Sequence, residues 1–233
     1  MNIEQPLVEA TLVRRYKRFL TDVTLKDGSE LTAHCPNTGS LLGCKEPGSK
    51  VWLRDTENDK RKYRHSWQAI LVGDTWVNVD TGLPNAETYA AITEGRVPKL
   101  AGYDTHKREV KYGSNSRIDV LLTKDSGERC YVEVKNTTLA REHVALFPDA
   151  VTSRGLKHLE ELIQVVQDGD RAVQFFFVSR DDVTHFAPAD DIDPDYCAGL
   201  RRAAQAGVEV IAYAVKVERD AITLAHELIV DLA

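Results

Sequence analysis

Ile118-Asp119-Val120-Leu121-Leu122, a loop from Thr123 to Arg129, and Cys130-Tyr131-Val132-Glu133-Val134-Lys135 together read as a β-hairpin at the centre of a stretch running from Glu109 to Lys135. The two apolar, β-branched runs flank Asp125, Ser126 and Gly127, residues that favour a tight loop. Asp119 and Glu133 lie seven residues either side of Ser126. A hairpin symmetric about Ser126 puts them opposite each other on one face, because side chains alternate with period two. Lys135 joins that face, and Val132 and Val134 point into apolar packing.

Two facing carboxylates repel unless something positive lies between them. A divalent cation fills that role, and hard oxygen ligands suit Mg²⁺ or Mn²⁺, with Lys135 placed to orient a water for attack on a phosphodiester. The plain alternative is a hairpin with an acidic exposed face and Lys135 as a salt-bridge partner.

Working outward, Glu109 precedes or opens the strand leading into the hairpin and is a third ligand candidate; otherwise it is an exposed acid paired with Lys107 or Lys111. After the hairpin, Thr152-Ser153 can cap a helix from about Arg154 to Gln167. Its apolar stripe is Leu156, Leu159, Ile163 and Val166, which leaves Arg154, Lys157, His158 and Glu161 on the polar side, facing either phosphate or solvent. Ala172 to Val178 is apolar almost throughout, as in a strand covered on both faces. A helix from about Pro194 to Ala206, closed by Gly207, leads to a strand over 208–217. A helix-turn-helix around Gly207 is rejected, because Val208 to Tyr213 is β-branched and aromatic where a recognition helix is polar.

Toward the N-terminus, Leu7 to Val13, Tyr16 to Leu25, Glu30 to Cys35, Lys50 to Arg54, Trp67 to Val72 and Thr75 to Val79 read as short strands, with Lys26-Asp27-Gly28 and Val72-Gly73-Asp74-Thr75 as hairpin turns. Short strands without a helix over eighty residues suggest a small closed barrel, and an OB-fold is compatible. Asn85 to Leu100 begins a helical segment closed by Gly95 and Pro98 that links the two parts. The expected division is an OB-fold-like domain over 1–83 and a linker helix with a mixed α/β domain over 84–233.

The net charge of −6 argues at first against nucleic acid, but residues 1–83 carry 12 Lys/Arg against 11 Asp/Glu and residues 84–233 carry 18 against 25. The basic residues of the first part cluster as Arg14, Arg15, Lys17 and Arg18 around Tyr16, with Phe19 next to them, and as Lys60, Arg61, Lys62 and Arg64 around Tyr63. Such mixtures can grip phosphate and stack a base; alternatively, they guard a strand edge or are merely solvated. Pro36-Asn37-Thr38-Gly39 is a turn that either presents Asn37 and Thr38 to a ligand or forms a structural corner. His34 reads as a packed strand residue.

A hydrophobic fraction of 42% and a charged fraction of 28% are ordinary for a soluble globular chain, and no apolar run approaches membrane-span length. Met1 to Pro6 lacks signal-peptide features, so a cytoplasmic location and no membrane partner are expected. Cys35, Cys44, Cys130 and Cys197 are scattered without a Cys-x-x-Cys pair and suggest reduced thiols, with neither zinc nor disulfides.

Asp119 followed by Glu133-Val134-Lys135 resembles the Asp…Glu-x-Lys core of the PD-(D/E)xK, or restriction-endonuclease-like, nucleases. The wider sequence resembles the bacterial sugar fermentation stimulation (SfsA) family. That likeness is carried by His34-Cys35-Pro36-Asn37-Thr38-Gly39 with Gly43, Lys60-Arg61-Lys62-Tyr63, Glu109-Val110-Lys111-Tyr112-Gly113, Ser116-Arg117-Ile118-Asp119, Tyr131 to Lys135, Phe147 to Thr152, Arg154-Gly155 and Lys157-His158-Leu159. The resemblance implies an α+β protein with an OB-fold followed by a nuclease-like domain, binding to DNA with little sequence preference, and a link to sugar, particularly maltose, metabolism. Ile118 stands where the general nuclease pattern has a proline, a position that supplies no ligand. The leading expectation is a DNA-binding protein with a metal-dependent nuclease site, in which Asp119 and Glu133 hold Mg²⁺ or Mn²⁺ and Lys135 positions water. Its rivals are a non-catalytic DNA-binding regulator with a vestigial or phosphate-binding pocket and, more remotely, a sugar- or nucleotide-binding module. A homo-oligomer is compatible with the sequence.

Overall fold

A computed structural model describes residues 6–112 and 116–233; Met1 to Gln5, and Gly113 of the Glu109-to-Gly113 motif, lie outside the described residues. Six strands open the chain: β1 (Leu7–Tyr16), β2 (Leu20–Leu25), β3 (Glu30–His34), β4 (Lys50–Asp55), β5 (His65–Val72) and β6 (Thr75–Asn78). They pair in the order β3-β2-β1-β4-β5-β6, and a parallel contact of His34 with Ser66 joins β3 to β5 and closes the barrel. This is the five-stranded OB arrangement with β6 added as a hairpin on β5. Alternating inward residues such as Leu12, Val23, Leu53, Trp67 and Ile70 fill its interior.

The expected strand from Tyr16 to Leu25 is instead broken: β1 runs through Tyr16, and Lys17-Arg18-Phe19 form a turn before β2. Lys17 and Arg18 both take left-handed backbone, at φ 49° and 67°. Non-glycine residues rarely adopt that region, so sequence gave no signal for the turn.

The second part begins with α1 (Pro84–Thr93) and a short 3₁₀ turn (Pro98–Leu100), followed by β7 (Thr105–Tyr112), β8 (Ser116–Thr123) and β9 (Arg129–Thr137). Then come β10 (Ala140–Arg141), β11 (Val144–Phe147), α2 (Ser153–Gln167), β12 (Arg171–Val178), β13 (His185–Pro188), α3 (Pro194–Gln205), β14 (Glu209–Val217), β15 (Ile222–Glu227) and β16 (Ile229–Val230). The main sheet has the order β15-β14-β12-β9-β8-β7, with β12 parallel to both β9 and β14. Helices α2 and α3 are the crossovers between those parallel strands, and this mixed sheet with flanking helices makes the chain a two-domain α+β protein. As the central strand, β12 buries all but its first residue. Glu209 to Tyr213 open strand β14, with Val208 just before it, as their β-branched and aromatic composition requires.

One face of this sheet packs on α2 and α3 through Leu159, Leu162, Phe176 and Leu200. The other joins α1 and the outside of the barrel in one core containing Leu7, Trp52, Ala69, Leu83, Ala91, Phe175 and Val215. Trp52 stacks on Trp76 with ring centroids 3.6 Å apart, and Asn78 donates its N–H to the Ser179 carbonyl at 2.9 Å. The shared apolar core fixes the barrel against the sheet. No helix among the described residues is long and apolar enough to cross a membrane, and all four cysteines are buried and free.

Candidate metal and phosphodiester site

The hairpin of β8 and β9 is symmetric about Ser126, with pairs running from Thr123–Arg129 to Val120–Val132. The ladder stops one pair short of Asp119 and Glu133. There the Asp119 carboxylate substitutes for a strand partner: Oδ2 accepts the Val134 N–H at 2.7 Å, and Oδ1 accepts from Asn85 Nδ2 at 2.6 Å. On the other side, β7 pairs through Arg108–Val120 and Val110–Ile118, and Glu109 between them takes φ 54°. Strain of this kind in a non-glycine residue clusters at functional sites.

Asp119, Glu133, Lys135 and Glu109 all line one cavity of about 800 Å³, together with Asn85, Ser116, Arg117, Val134, Arg154, Lys157 and His158. Glu133 is only 3% exposed. Its Oε1 accepts from Lys135 Nζ at 2.6 Å and from His158 Nδ1, and its backbone carbonyl accepts from Gln174 Nε2 at 3.0 Å. Its Oε2 is buried without a hydrogen-bond partner. Burial pushes the Asp119 carboxyl up to about 6, with the Glu133 charge adding to the rise. Burial raises Glu133 too, but the His158 hydrogen bond and the Lys135 charge outweigh it and hold this carboxyl below its ordinary range. Tyr112 is likewise driven up by burial and by the surrounding Glu133, Glu161 and Asp119.

An orphaned carboxylate oxygen, and a second carboxyl that resists ionising beside it, are what a bound cation relieves. The donor set is oxygen. The described residues hold no cluster of three or more His, Cys, Asp or Glu side chains arranged as a metal cage. Two carboxylates with open positions suit Mg²⁺ or Mn²⁺, which keep several waters and share substrate phosphates. Around the acids, Arg117, Lys135, Arg154 and Lys157 provide positive charge where a phosphodiester would lie.

The other residues singled out from sequence sit elsewhere, and none of them lines this cavity. Arg14 pairs with Asp22 and lies 4.8 Å from the Tyr16 ring, whose hydroxyl also donates to Asp22. Arg15 is committed to the fold: its guanidinium donates to the carbonyls of Arg18, Asn37, Gly39 and Ser40 at 2.8 to 3.3 Å. Its expected phosphate contact is replaced by this clamp on the 37–40 corner. Arg15→Ala is therefore expected to destabilise the protein by about 2–4 kcal/mol in urea unfolding while leaving the salt dependence of nucleic-acid binding unchanged. Asn37 is buried, with Oδ1 accepting from the Gly39 N–H at 2.7 Å, so it forms the corner instead of facing a ligand; Thr38 is exposed beside it. Arg64 is held in a fork by Asp55 and by Asp59. Lys17, Arg18, Lys60, Arg61 and Lys62 are exposed, as is Phe19 at 43%.

The polar face expected for α2 is a second correction. Thr152 caps the helix, accepting from the Gly155 N–H at 3.0 Å, but the buried stripe is Gly155, His158, Leu159, Leu162 and Val165. His158 thus points inward to Glu133, and Glu161 is half-buried, accepting from Ser116 Oγ at 2.8 Å. A stripe centred on Gly155 and Leu162 would have found His158 by its helical spacing. Nothing local marks Asn85, whose partner is 34 residues away.

Residues 82–221 match the family model described as the sugar fermentation stimulation protein RE domain, and residues 13–79 match the SfsA N-terminal OB domain. The chain belongs to the sugar fermentation stimulation protein family. It is 52% identical over 230 residues to a sugar fermentation stimulation protein homolog of Geobacter sp. (strain M21), covering 98% of each chain. To the homolog of Thioalkalivibrio sulfidiphilus it is 52% identical over 235 residues, covering 100% of this chain and 99% of that one. Among solved structures, the Pyrococcus furiosus SfsA in complex with Ca²⁺ superimposes with a TM-score of 0.88 at 30% identity, over 99% of this chain and 98% of that one. The family match and this superposition bear out the resemblance to the sugar fermentation stimulation family and the two-domain α+β fold with an N-terminal OB domain expected from sequence.

Proposed function

We propose that the chain is a DNA-binding protein whose second domain, beginning after residue 83, is a phosphodiesterase dependent on Mg²⁺ or Mn²⁺. The observation that carries this reading is the buried Glu133 carboxylate, with one oxygen unpartnered, sharing a cavity with Asp119 and Lys135. Asp119 and Glu133 would hold the cation, with Glu109 as a further oxygen donor. Bound there, a divalent ion supplies charge neutralisation at the scissile phosphate and acidifies water. Lys135 orients the attacking water and meets charge developing on the phosphate oxygens; Arg117, Arg154 and Lys157 hold the flanking backbone. The Ca²⁺ named with the Pyrococcus furiosus relative is a hard, oxygen-seeking ion and supports this donor chemistry.

On the barrel, Lys17, Arg18, Lys60, Arg61 and Lys62 extend the phosphate-binding surface, and the exposed Phe19 is placed to stack on a base. The family's name connects its members with sugar fermentation, and action on DNA is our proposal for how this chain enters such a process.

The test is incubation of single- and double-stranded DNA with Mg²⁺ or Mn²⁺ beside Lys135→Met. Cleavage by the native protein that falls about 10²–10³-fold in the variant supports the assignment. DNA binding without cleavage in either protein would favour a second reading, a non-catalytic binder. That reading draws on the Lys135 amine being held by Glu133 and not free in the cavity.

A further inference from the structure

His158 holds a position that phosphate binding does not explain: it is buried, and its ring lies against the Glu133 carboxylate. Lys135 Nζ lies 3.1 Å from His158 Nδ1, but Nδ1 also faces the Glu133 carboxylate, which only accepts; the ring proton is therefore assigned to Nδ1, and Nε2 is left to accept from Arg154 Nε–H at 3.4 Å. From there it is donated to Glu133 Oε1. Lys135 Nζ reaches the same oxygen at 2.6 Å. Both donors therefore fix one oxygen of Glu133 and leave Oε2 buried and without a hydrogen-bond partner.

We propose that His158 is a positioning residue, which through Nδ1 sets the rotamer of Glu133 so that Oε2 is presented for divalent-cation binding. The role rests on the cation reading above. It acts through Glu133 and needs no contact between His158 and substrate. Hydrogen-bond partners of ligating carboxylates are worth about 10–100-fold in metal affinity, which sets the expected effect. The chain carries this partner on α2, at the helix turn that also places Arg154 by the cavity, so a backbone phosphate held by Arg154 and the cation ligand Glu133 meet at one ring.

Two substitutions separate the ring nitrogens. Asparagine carries its amide nitrogen one bond beyond Cγ, in the place of Nδ1; glutamine carries it where Nε2 lies. Isothermal titration of the full chain with Mn²⁺, without nucleic acid, is expected to show His158→Asn within about threefold of the native affinity. His158→Gln and His158→Ala should be weaker by about 10–100-fold. Near-UV circular dichroism of the cation-free proteins establishes which variants are folded, and if the alanine variant is not, the asparagine and glutamine pair carries the comparison. Equal affinity in all four proteins, or rescue by glutamine and not asparagine, overturns the role of His158 alone. A native protein that takes up no Mn²⁺ overturns both this role and the cation site itself.

Discussion

Asp119→Asn is expected to make the cation-free protein more stable while reducing cleavage at least about 10³-fold, a combination that a merely structural aspartate would not give. The gain follows from the cost of ionising this group. The native fold moves its pKa from an ordinary 3.8 to about 6, through burial and the neighbouring Glu133 charge. At pH 7 that shift corresponds to about 2–3 kcal/mol of unfavourable interaction, since each pKa unit is about 1.4 kcal/mol. Asparagine keeps a carbonyl oxygen to accept the Val134 N–H and removes the charge, and a flip of the Asn85 amide lets its oxygen accept from the new NH2 group, so most of that cost disappears. For a domain of this size about 1 kcal/mol moves the melting temperature by about 2–4 °C, so the variant should melt several degrees higher in EDTA. A variant that melts lower than the native protein and still cleaves DNA would remove Asp119 from the site.

The same group dictates a pH dependence. Because the folded pKa lies above the unfolded one, Asp119 contributes stability that is present in acid and lost as pH rises from about 4 through 6. Glu133 works in the opposite sense. Its folded pKa is lowered, so its contribution is present above the unfolded value and is lost only as pH falls through and below the ordinary glutamate range. The two windows separate, and the difference in stability between the native protein and Asp119→Asn should grow between about pH 4 and 7 and then level off. Cation affinity follows the same ionisation. Binding needs the carboxylate, so the apparent Mn²⁺ affinity should fall about tenfold between pH 7 and 5. Urea unfolding across this range in EDTA, with parallel Mn²⁺ titrations, measures both.

How much of this was legible before the structure depends on how local each signal was. The hairpin centred on Ser126 follows from two runs with period two and a glycine-bearing loop between them, and the ladder keeps that register. The apolar run in β12 and the Thr152 cap are equally local. The break between β1 and β2 was not legible, because Lys17 and Arg18 adopt backbone that their side chains disfavour. Short strands such as β10, β11, β13 and β16 are too brief to show periodicity, and β13 finds its partners only in parallel pairing with distant segments.

In the site, Asp119, Glu133 and Lys135 could be read from spacing because one hairpin carries all three. Asn85 and His158 could not be assigned their partners, since α1 and α2 meet the hairpin only through the tertiary fold. The N-terminal basic clusters show the converse. Arg15 and Arg64 looked like phosphate ligands from composition, and both are consumed by contacts within the barrel and its loops. Charge counted along a sequence does not separate a free cation from one already satisfied.

The central claim is that Asp119 and Glu133 together hold a divalent cation. Isothermal titration of the native chain and of Asp119→Asn with Mn²⁺ at pH 7.5 tests it most directly. One saturable site in the native protein, lost or weakened by at least about 100-fold in the variant, is the predicted result. Binding of equal strength in both proteins, or none in the native chain, would contradict it.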